Sequence, residues 1–513
     1  MKYRSIPLTA LGLLAALPFL AAANDQPPKA PSKVEPPASQ VVMPTSMPTL
    51  SVDQVKRGQR GYGLSVFAGT EPERFEVEVI WVMRNVSPNV SYILARLEGK
   101  GLDKIGVAAG MSGSPVFIDG KLVGAVSFSW PFSQETIGGI TPIEDMRRLS
   151  GLGPLPATPL PPVPLADIMA RKIPADLLER ELARLQPRLA GGGLPGIVWA
   201  TQGFGDQSLA MMRRALQTVS AAGEARPEDV PRDLEMGGAV AAVLVDGDFG
   251  LAGFGTVTDR YEDQVLAFGH PFMGLGPVQV PMATAEVVTI FSSQLASFKI
   301  SNIGHTIGAF EQDRQAGIQG RIGATAPMTP MVLRVAGGLG EKPREYKVRV
   351  AEIPLLTPSL IGSTVVAGLE SASYTAGSQS LDMTARFKLA RYGDLLVRQS
   401  FDGASAGSEA AAYVLAVAGF LTQNDFEKVD LEAVEVDIQQ SPEPRAATLV
   451  GAHAERTVVR PGERIGLNLD LMAYRGERFR RSLNIDLPQD LPAGRYTLLV
   501  GDGSSADAAR MTL

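Results

Sequence analysis

The chain has 513 residues, enough for roughly two to four domains, and its 45% apolar and 20% charged residues are ordinary for a globular protein. A formal net charge of −6, without any run of Lys or Arg, argues against a nucleic-acid partner. The absence of cysteine excludes disulfides, zinc–thiolate sites and cysteine nucleophiles.

The N-terminus has the pattern of a secretory signal peptide. Lys2 and Arg4 precede an apolar run over residues 8–20, and three alanines ending at Ala23 form a small-residue cleavage site. We therefore predict a signal peptide over residues 1–23 and export to the periplasm or the outside of a bacterial cell. An uncleaved membrane anchor is the alternative.

Residues beyond the signal peptide contain no apolar stretch of the ~20 residues that a membrane helix requires. We expect no membrane span once the signal is removed. Residues 24–48 are rich in Pro, Ala and Ser, a composition typical of a disordered tether.

Residues 49–150 have strand-like patterning. Phe75, Val77 and Val79 alternate with acidic residues, the period of a half-buried strand. Asp119-Gly120 predicts a two-residue hairpin. Thr141 precedes Pro142 with Glu144 beyond, which predicts a helix capped by Thr141. This segment is expected to hold roughly six strands followed by a helix.

The remaining chain divides at changes of composition. Residues 151–195 are rich in Pro and Gly and then show a leucine face, which predicts a linker with a helix. Residues 196–326 return to strands and glycine turns. Residues 327–440 predict a β-rich domain with one Ala-rich helix near residues 408–421. Residues 441–513, where apolar residues alternate from Ile465 and a last strand is expected over residues 495–500, predict an immunoglobulin-like β-sandwich.

Residues 110–115 read G-M-S-G-S-P and carry the strongest chemical signal. Two glycines around a serine allow a sharp turn. Such a turn holds the Ser112 hydroxyl outward while the backbone N–H groups of Gly110 and Ser112 converge on one point. This pair of donors is what acyl transfer needs to bind a developing oxyanion. A plain turn between two strands is the alternative.

A serine hydroxyl needs a base to take its proton, and histidine is the usual one. The chain has three histidines. His270 lies between Gly269 and Pro271 at the end of an apolar strand, where a constrained turn can face a cleft, so we predict it as the base; a structural histidine is the alternative. His305 is expected in an ordinary loop and His453 on the surface.

Residues 110–115, with the strand, D-G and G-A-V that follow, closely resemble the nucleophile motif of the SpoIVB peptidases, named for stage IV sporulation protein B. Residues 61–80 resemble the approach to that motif, residues 255–270 the segment with the family's histidine, and residues 307–320 the strand that closes that half. The resemblance covers roughly residues 55–145 and 237–323, and the serine motif is its most specific part.

The resemblance implies a mostly β protein with a chymotrypsin-like double β-barrel, an active site between the lobes, and no metal or cofactor. The serine half precedes the histidine half here, the reverse of the family's order, so the fold is expected to be permuted. A triad depends on spatial position and not on chain order. No PDZ domain is predicted ahead of the peptidase.

The acid of the triad is the weakest part of the resemblance. With one deletion, Glu98 takes the position of the family's aspartate, which precedes the serine. Asp313 and Asp103 are alternatives, and a surface role is possible for each. Met111 replaces the acidic residue of the chymotrypsin motif, so the ion pair that activates those zymogens is not available.

These observations predict an exported serine endopeptidase that acts through an acyl-enzyme on protein or peptide substrates. The resemblance implies limited, regulatory cleavage, including self-cleavage. One alternative is a catalytically inactive peptidase-like scaffold or binding protein of the bacterial envelope. Another is an esterase, which is disfavoured because a hairpin and not a helix follows Ser112.

Overall fold

The structure is a computed structural model. It describes residues 43–501 apart from 88–89, 131–132, 134, 152–196, 211, 213–217, 222–227, 229, 294, 338–341, 373–377, 425–428, 444 and 474–475. The predicted signal peptide, almost all of the tether and the predicted linker helix lie outside the described residues. The chain forms two compact units, and the larger comprises Val41–Val163 and Ile173–Pro444.

The first part of the larger unit is a closed six-stranded barrel with the strand order β1-β2-β3-β6-β5-β4. Its strands are β1 (Arg60–Ser65), β2 (Glu73–Ser87), β3 (Val90–Glu98), β4 (Pro115–Ile118), β5 (Lys121–Ser129) and β6 (Ile137–Pro142). Two short helices, α1 (Leu102–Ile105) and α2 (Ile143–Arg147), and two 3₁₀ turns, Val52–Gln54 and Arg148–Gly151, accompany them. The prediction of six strands followed by a helix is confirmed.

The alternating pattern of β2 determines which face enters the barrel. Phe75, Val77 and Val79 are buried in the barrel core, and the acidic residues between them are not. The hairpin between β4 and β5 is as predicted. Asp119 and Gly120 have φ of 50° and 70°, as a two-residue turn with the right twist requires.

The rest of the larger unit is a 13-stranded sheet with the order β18-β17-β19-β15-β16-β9-β12-β13-β14-β11-β10-β7-β8. Its strands are β7 (Val198–Gln202), β8 (Thr218–Ala221), β9 (Ala239–Gly247), β10 (Gly250–Tyr261), β11 (Gln264–Ala267), β12 (Gly276–Phe291), β13 (Phe298–Arg314), β14 (Gly317–Ile322), β15 (Met328–Gly337), β16 (Arg344–Ala351), β17 (Gln379–Leu389), β18 (Gly393–Gly403) and β19 (Leu431–Ser441). β9 also pairs with β10, so six strands (β9, β12, β13, β14, β11 and β10) form a closed ring within the sheet.

The described residues of this part include three helices: α3 (Asp206–Ala210), α4 (Thr357–Ala372) and α5 (Ala406–Thr422). α5 is the predicted Ala-rich helix. α4 was not predicted, so residues 327–440 hold two helices where the sequence indicated one. Thirteen of its sixteen residues are buried, which removes the polar face that marks a surface helix in a sequence.

Thr141 does not cap α2, contrary to the prediction. The helix begins at Ile143 with Pro142 as its N-cap, and it has no side-chain cap. The Thr141 hydroxyl instead donates to the carbonyl oxygen of Gly269 at 2.6 Å. A contact with a segment so distant in sequence competes with the local cap, and the tertiary hydrogen bond is the one that forms.

The second unit is described over residues 445–501. It contains an antiparallel sheet of β20 (Ala447–Ala454), β21 (Arg464–Ala473) and β22 (Arg478–Asp486). Ile465, Leu467 and Leu469 are buried on one face of β21, as their alternation predicted. Residues 495–500 do not form the expected strand. The immunoglobulin-like sandwich stays a prediction. No helix in the described parts of the chain is long and apolar enough to cross a membrane.

The barrel predicts a contrast between two of its glycines. A Cβ on Gly124 would lie 2.0 Å from the backbone oxygen of Thr141, whereas the nearest atom to one on Gly138 would be a flexible Leu97 methyl at 3.3 Å. Gly124→Ala is therefore expected to destabilise the protein by about 1–3 kcal/mol, as overpacked sites do. Gly138→Ala, its control, is expected to stay near the wild type. Thermal unfolding compares them, and equal effects would contradict this account.

Candidate active site

The predicted nucleophile turn connects α1 to β4 and packs against β10. Gly110 and Gly113 have φ of 93° and 94°, which favours glycine at both positions. A Cβ on Gly113 would lie 1.9 Å from the carbonyl oxygen of Thr256 and 2.5 Å from the backbone nitrogen of Phe268. Only glycine lets the barrel turn approach the strand ring this closely. Ser112 between them is 2% exposed.

Hydrogen bonds fix the carbonyl groups of the turn. Thr256 donates through its hydroxyl to Gly110 O at 3.0 Å and through its N–H to Ser112 O at 2.8 Å. Thr258 donates through its hydroxyl to Gly113 O at 2.8 Å. These bonds orient the peptide planes of the turn from the β10 side.

The N–H groups of the turn divide into paired and unpaired sets. Four of them are paired, in the bonds Ala109 N–H to Ser297 O, Met111 N–H to Ala108 O, Gly113 N–H to Val126 O and Ser114 N–H to Met111 O. The N–H groups of Gly110 and Ser112 donate to no acceptor among the residues that the structure describes. They are the two donors that the sequence analysis assigned to the oxyanion.

The histidine segment lies against the same turn. The N–H of Phe268 is beside Gly113 and donates to Thr256 O at 3.3 Å. A Cβ on Gly269 would be 3.2 Å from the carbonyl oxygen of Val126, the residue that also accepts the Gly113 N–H. The fold therefore brings the segments of Ser112 and His270 together, although they are distant in sequence.

His270 is 2% exposed, and its two ring nitrogens differ. Nδ1 lies 2.7 Å from the carbonyl oxygen of Pro271. Because a carbonyl can only accept, this bond requires the proton on Nδ1 and leaves Nε2 with its lone pair in the neutral ring. Nε2 has no hydrogen-bond partner among the described residues, and the Ser112 hydroxyl has none either. Burial lowers the pKa of His270 to about 4, so the ring is neutral at neutral pH.

The backbone before His270 is strained. Phe268 and Gly269 both have φ of 67°, a left-handed conformation that Phe rarely adopts. The Phe268 ring packs edge-on against Phe272 and Phe310. Strain of this kind persists only where the surrounding structure enforces it, and it concentrates at functional sites.

Asp313 in β13 holds the loop after His270. Its buried carboxylate accepts the backbone N–H groups of Phe272 at 2.7 Å, Met273 at 2.8 Å and Leu275 at 3.1 Å. Burial raises the pKa of Asp313 to about 6, although these hydrogen bonds favour the charged form. Asp313, an alternative triad acid in the sequence analysis, thus binds the backbone of the loop. The Pro271 carbonyl, and not a carboxylate, accepts the hydrogen bond from His270 Nδ1.

The other two candidate acids are on the surface. Glu98 is the exposed last residue of β3, paired with Glu76, and Asp103 is exposed in α1. No hydrogen bond links either to His270 in the described structure. The role of Glu98 stays a prediction, and this arrangement gives it no support.

The remaining histidines are away from the site. His305 lies within β13 and not in a loop as predicted, and its N–H donates to the Thr284 hydroxyl at 3.0 Å. His453 is exposed in β20, as expected, with Nε2 at 3.5 Å from the Asp470 carboxylate. Among the described residues, no group of three or more His, Asp or Glu side chains is placed to hold a metal ion.

Sequence reasoning missed Lys299, which lies beneath the nucleophile turn. It is 1% exposed, and its Nζ donates to the Ser65 hydroxyl at 2.9 Å. Ser114 donates to the same hydroxyl at 3.0 Å. A signal existed, because Lys299 and Ser301 are polar residues two positions apart in β13 and alternate with the apolar residues Phe298 and Ile300. Such alternation is also typical of a strand with one face exposed to solvent, so the sequence did not distinguish Lys299 from a surface lysine.

The role of Asp313 predicts a loss of stability in Asp313→Asn. An amide has one acceptor oxygen, and its NH₂ group would face backbone donors, so one or two of the three N–H groups lose their partner at about 1–3 kcal/mol each. The control is Glu311→Gln on the same strand, which removes a partly exposed ion pair with Arg321 worth about 0–1 kcal/mol. Thermal unfolding at pH 7.5 measures both, and an unaffected Asp313→Asn would refute the loop-holding role.

Comparison with known proteins gives one match. Residues 32–146 match the family model described as SpoIVB peptidase S55. No curated protein matches the chain, and no solved structure does. The matched segment contains β1–β6 and the nucleophile turn, while His270 lies beyond it. Residues 32–146, the serine-bearing part of the chain, are thus similar to the SpoIVB S55 family of serine peptidases.

Proposed function

We propose that this protein is an exported serine endopeptidase that makes limited, regulatory cleavages, with Ser112 as nucleophile and His270 as base. The observation that carries the proposal is the hydrogen-bond pattern of the nucleophile turn. Its carbonyl groups are engaged, and the N–H groups of Gly110 and Ser112 have no acceptor among the residues that the structure describes. Export is supported by the signal-peptide pattern of residues 1–23.

We also propose a permuted chymotrypsin-like arrangement for the catalytic region. One closed six-stranded barrel carries the serine turn, and a second closed ring of six strands carries the histidine loop. The active site would then lie where the turn of the first meets β10 of the second. The reversed order of the halves leaves this geometry possible, because chain order does not enter it.

The reaction would begin with attack of Ser112 Oγ on the carbonyl carbon of the substrate peptide, while the hydroxyl proton passes to His270 Nε2. The carbonyl oxygen becomes an oxyanion and accepts the N–H groups of Gly110 and Ser112. The imidazolium then protonates the leaving amine, and an acyl-enzyme remains. Water attacks the ester, its proton passes to His270, and the serine leaves with that proton as the acid product departs.

The Pro271 carbonyl would take part of the role of a triad acid. It fixes the proton on Nδ1 and presents the Nε2 lone pair to the nucleophile. A carbonyl dipole stabilises an imidazolium less than a carboxylate does. His270 would therefore be a weak base, which suits a slow and selective peptidase more than a digestive one.

Burial of the site supports limited cleavage. Ser112 and His270 are each 2% exposed. A substrate would have to displace covering residues before the serine and the histidine approach each other, a step that often sets the rate of such enzymes. In apo structures catalytic hydrogen bonds are often unformed and tighten when substrate binds.

A catalytically silent scaffold is the second candidate, and one observation favours it. Nε2 of His270 makes no hydrogen bond to Ser112 or to another described residue. A buried imidazole of this kind can also serve as packing alone, as its edge-on contact with Phe268 at 6.0 Å illustrates.

Labelling with a fluorophosphonate probe, mapped by mass spectrometry, tests the proposal. We expect adduct on Ser112 of the wild type, none in Ser112→Ala, and labelling slower by about 10²–10⁴-fold in His270→Ala, the range for loss of a general base. Ser133→Ala, an exposed serine of the barrel, is the control and should label like the wild type. Absence of Ser112 adduct in the wild type would contradict the peptidase proposal and favour the scaffold. Ester and peptide substrates assayed side by side would identify an esterase.

The low pKa of His270 predicts that the labelling rate of Ser112 decreases only at an unusually acidic pH. The base must be neutral, so activity is lost as pH falls through its folded pKa of about 4 and not through the 6.5 of an ordinary histidine. The labelling rate of Ser112 should stay level between pH 5.0 and 6.5, as measured in a series of buffers at constant ionic strength. A fall by half near pH 6.5 would show that the ring is solvated in the reactive state, contrary to this geometry.

A further inference from the structure

Lys299 packs against the nucleophile turn through both its backbone and its side chain. It lies in β13, and its backbone N–H donates to the carbonyl oxygen of Ala109 at 3.0 Å. Its aliphatic stem covers Gly110, because a Cβ built on that glycine would be 3.1–3.2 Å from three of the stem carbons. The lysine is therefore packed directly against the residue that offers one of the two unpaired N–H groups.

Its ammonium group reaches both sides of the turn through hydroxyl groups. Nζ donates to Ser65 at 2.9 Å, and Ser65 also accepts the hydroxyl of Ser114, two residues after the nucleophile. Nζ lies 3.5 Å from the Thr256 hydroxyl, which donates to Gly110 O at 3.0 Å. The Ser65 hydroxyl thus links the ammonium to Ser114, near the end of the G-M-S-G-S-P segment, and the Thr256 hydroxyl links it to Gly110 at the start.

No counter-ion accompanies this buried cation in the described structure. The elements packed against it present Ser65 from β1, Gly110 and Ser114 from the turn, Thr256 from β10, and Ile290 opposite on β12. None of these carries a charge. Burial alone lowers the pKa of Lys299 to about 7. A buried, unpaired cation is unfavourable for stability, which points to a functional reason for its presence.

We propose that the protonated side chain of Lys299 is a positioning residue, which holds the nucleophile turn in its oxyanion-binding conformation and releases it on losing the proton. This inference rests on the proposed function. As an ammonium, Nζ can only donate, so the hydrogen of Thr256 is directed to Gly110 O. As an amine, Nζ gains a lone pair and competes for that hydrogen. The positive charge also favours a negative oxygen bound at the turn.

The pH dependence of activity and of stability would then have opposite signs. Activity needs protonated Lys299, so the rate falls as pH rises through its folded pKa of about 7. Stability behaves differently, because the folded pKa is lowered from 10.5 and the unfolded chain binds the extra proton between pH 7 and 10.5. The contribution of Lys299 to stability therefore rises over that range. Loss of activity just above pH 7 would not reflect unfolding.

The test is the labelling rate of Ser112 by a fluorophosphonate between pH 4 and 9, in four proteins. The wild type should lose rate above pH 7. Lys299→Met keeps an aliphatic stem but not the charge. We expect it to label about 10-fold more slowly than the wild type at pH 6, a smaller loss than the 10²–10³-fold caused by removing an oxyanion donor itself. Its labelling rate should also lack the decrease above pH 7, the alkaline limb. Lys299→Arg keeps the charge and should hold its rate above pH 7. Ser301→Ala, on the same strand and buried, is the control and should follow the wild type.

The outcomes separate this inference from the proposed function. If the wild type labels at Ser112 and Lys299→Met has the same rate and the same alkaline limb, the positioning role is refuted and the peptidase stands. If the wild type does not label at Ser112, both fail. Circular dichroism checks the fold of each variant. Should Lys299→Met not fold, Thr256→Val removes only the hydroxyl between Nζ and Gly110 O, and an unchanged alkaline limb in that variant would also refute the role.

Discussion

The docking of the nucleophile turn on β10 is the interaction on which the site depends. Thr256 and Thr258 donate to three carbonyls of that turn, those of Gly110, Ser112 and Gly113. Gly113 also allows the backbones to meet without an intervening side chain. These bonds set the peptide planes of the turn. The direction of the two free N–H groups follows from them, and so does the distance at which the histidine loop approaches the serine.

Local sequence patterns were sufficient to predict the strands and the hairpin of the first barrel. The period-2 alternation of β2 and the Asp119-Gly120 turn depend on neighbours in sequence, and both formed as predicted. The serine motif was readable for the same reason, since its glycines encode a backbone shape. His270 could be singled out because the chain has so few histidines, and the order of the strands around it was not readable.

The contacts that the sequence did not reveal share a physical cause. Thr141, Asp313 and Lys299 each make their hydrogen bonds to segments far away in sequence, and those bonds override what their local context favours. A threonine before Pro142 is a good helix cap until a distant carbonyl offers a better geometry. The sequence did not reveal α4 for a related reason. Most of its residues are buried, so it lacks the polar stripe by which an amphipathic helix is recognised in a sequence.

The close approach at Gly113 has a consequence for how related sequences are read. Because any side chain there would collide with the backbone of Thr256 and Phe268, that glycine serves the assembly of the two halves whether or not a bond is ever cleaved. Descendants that abandoned hydrolysis would still need it in order to fold. The G-x-S-G-x-P pattern thus identifies an architecture, and the presence of chemistry must be judged from the hydroxyl and the imidazole individually.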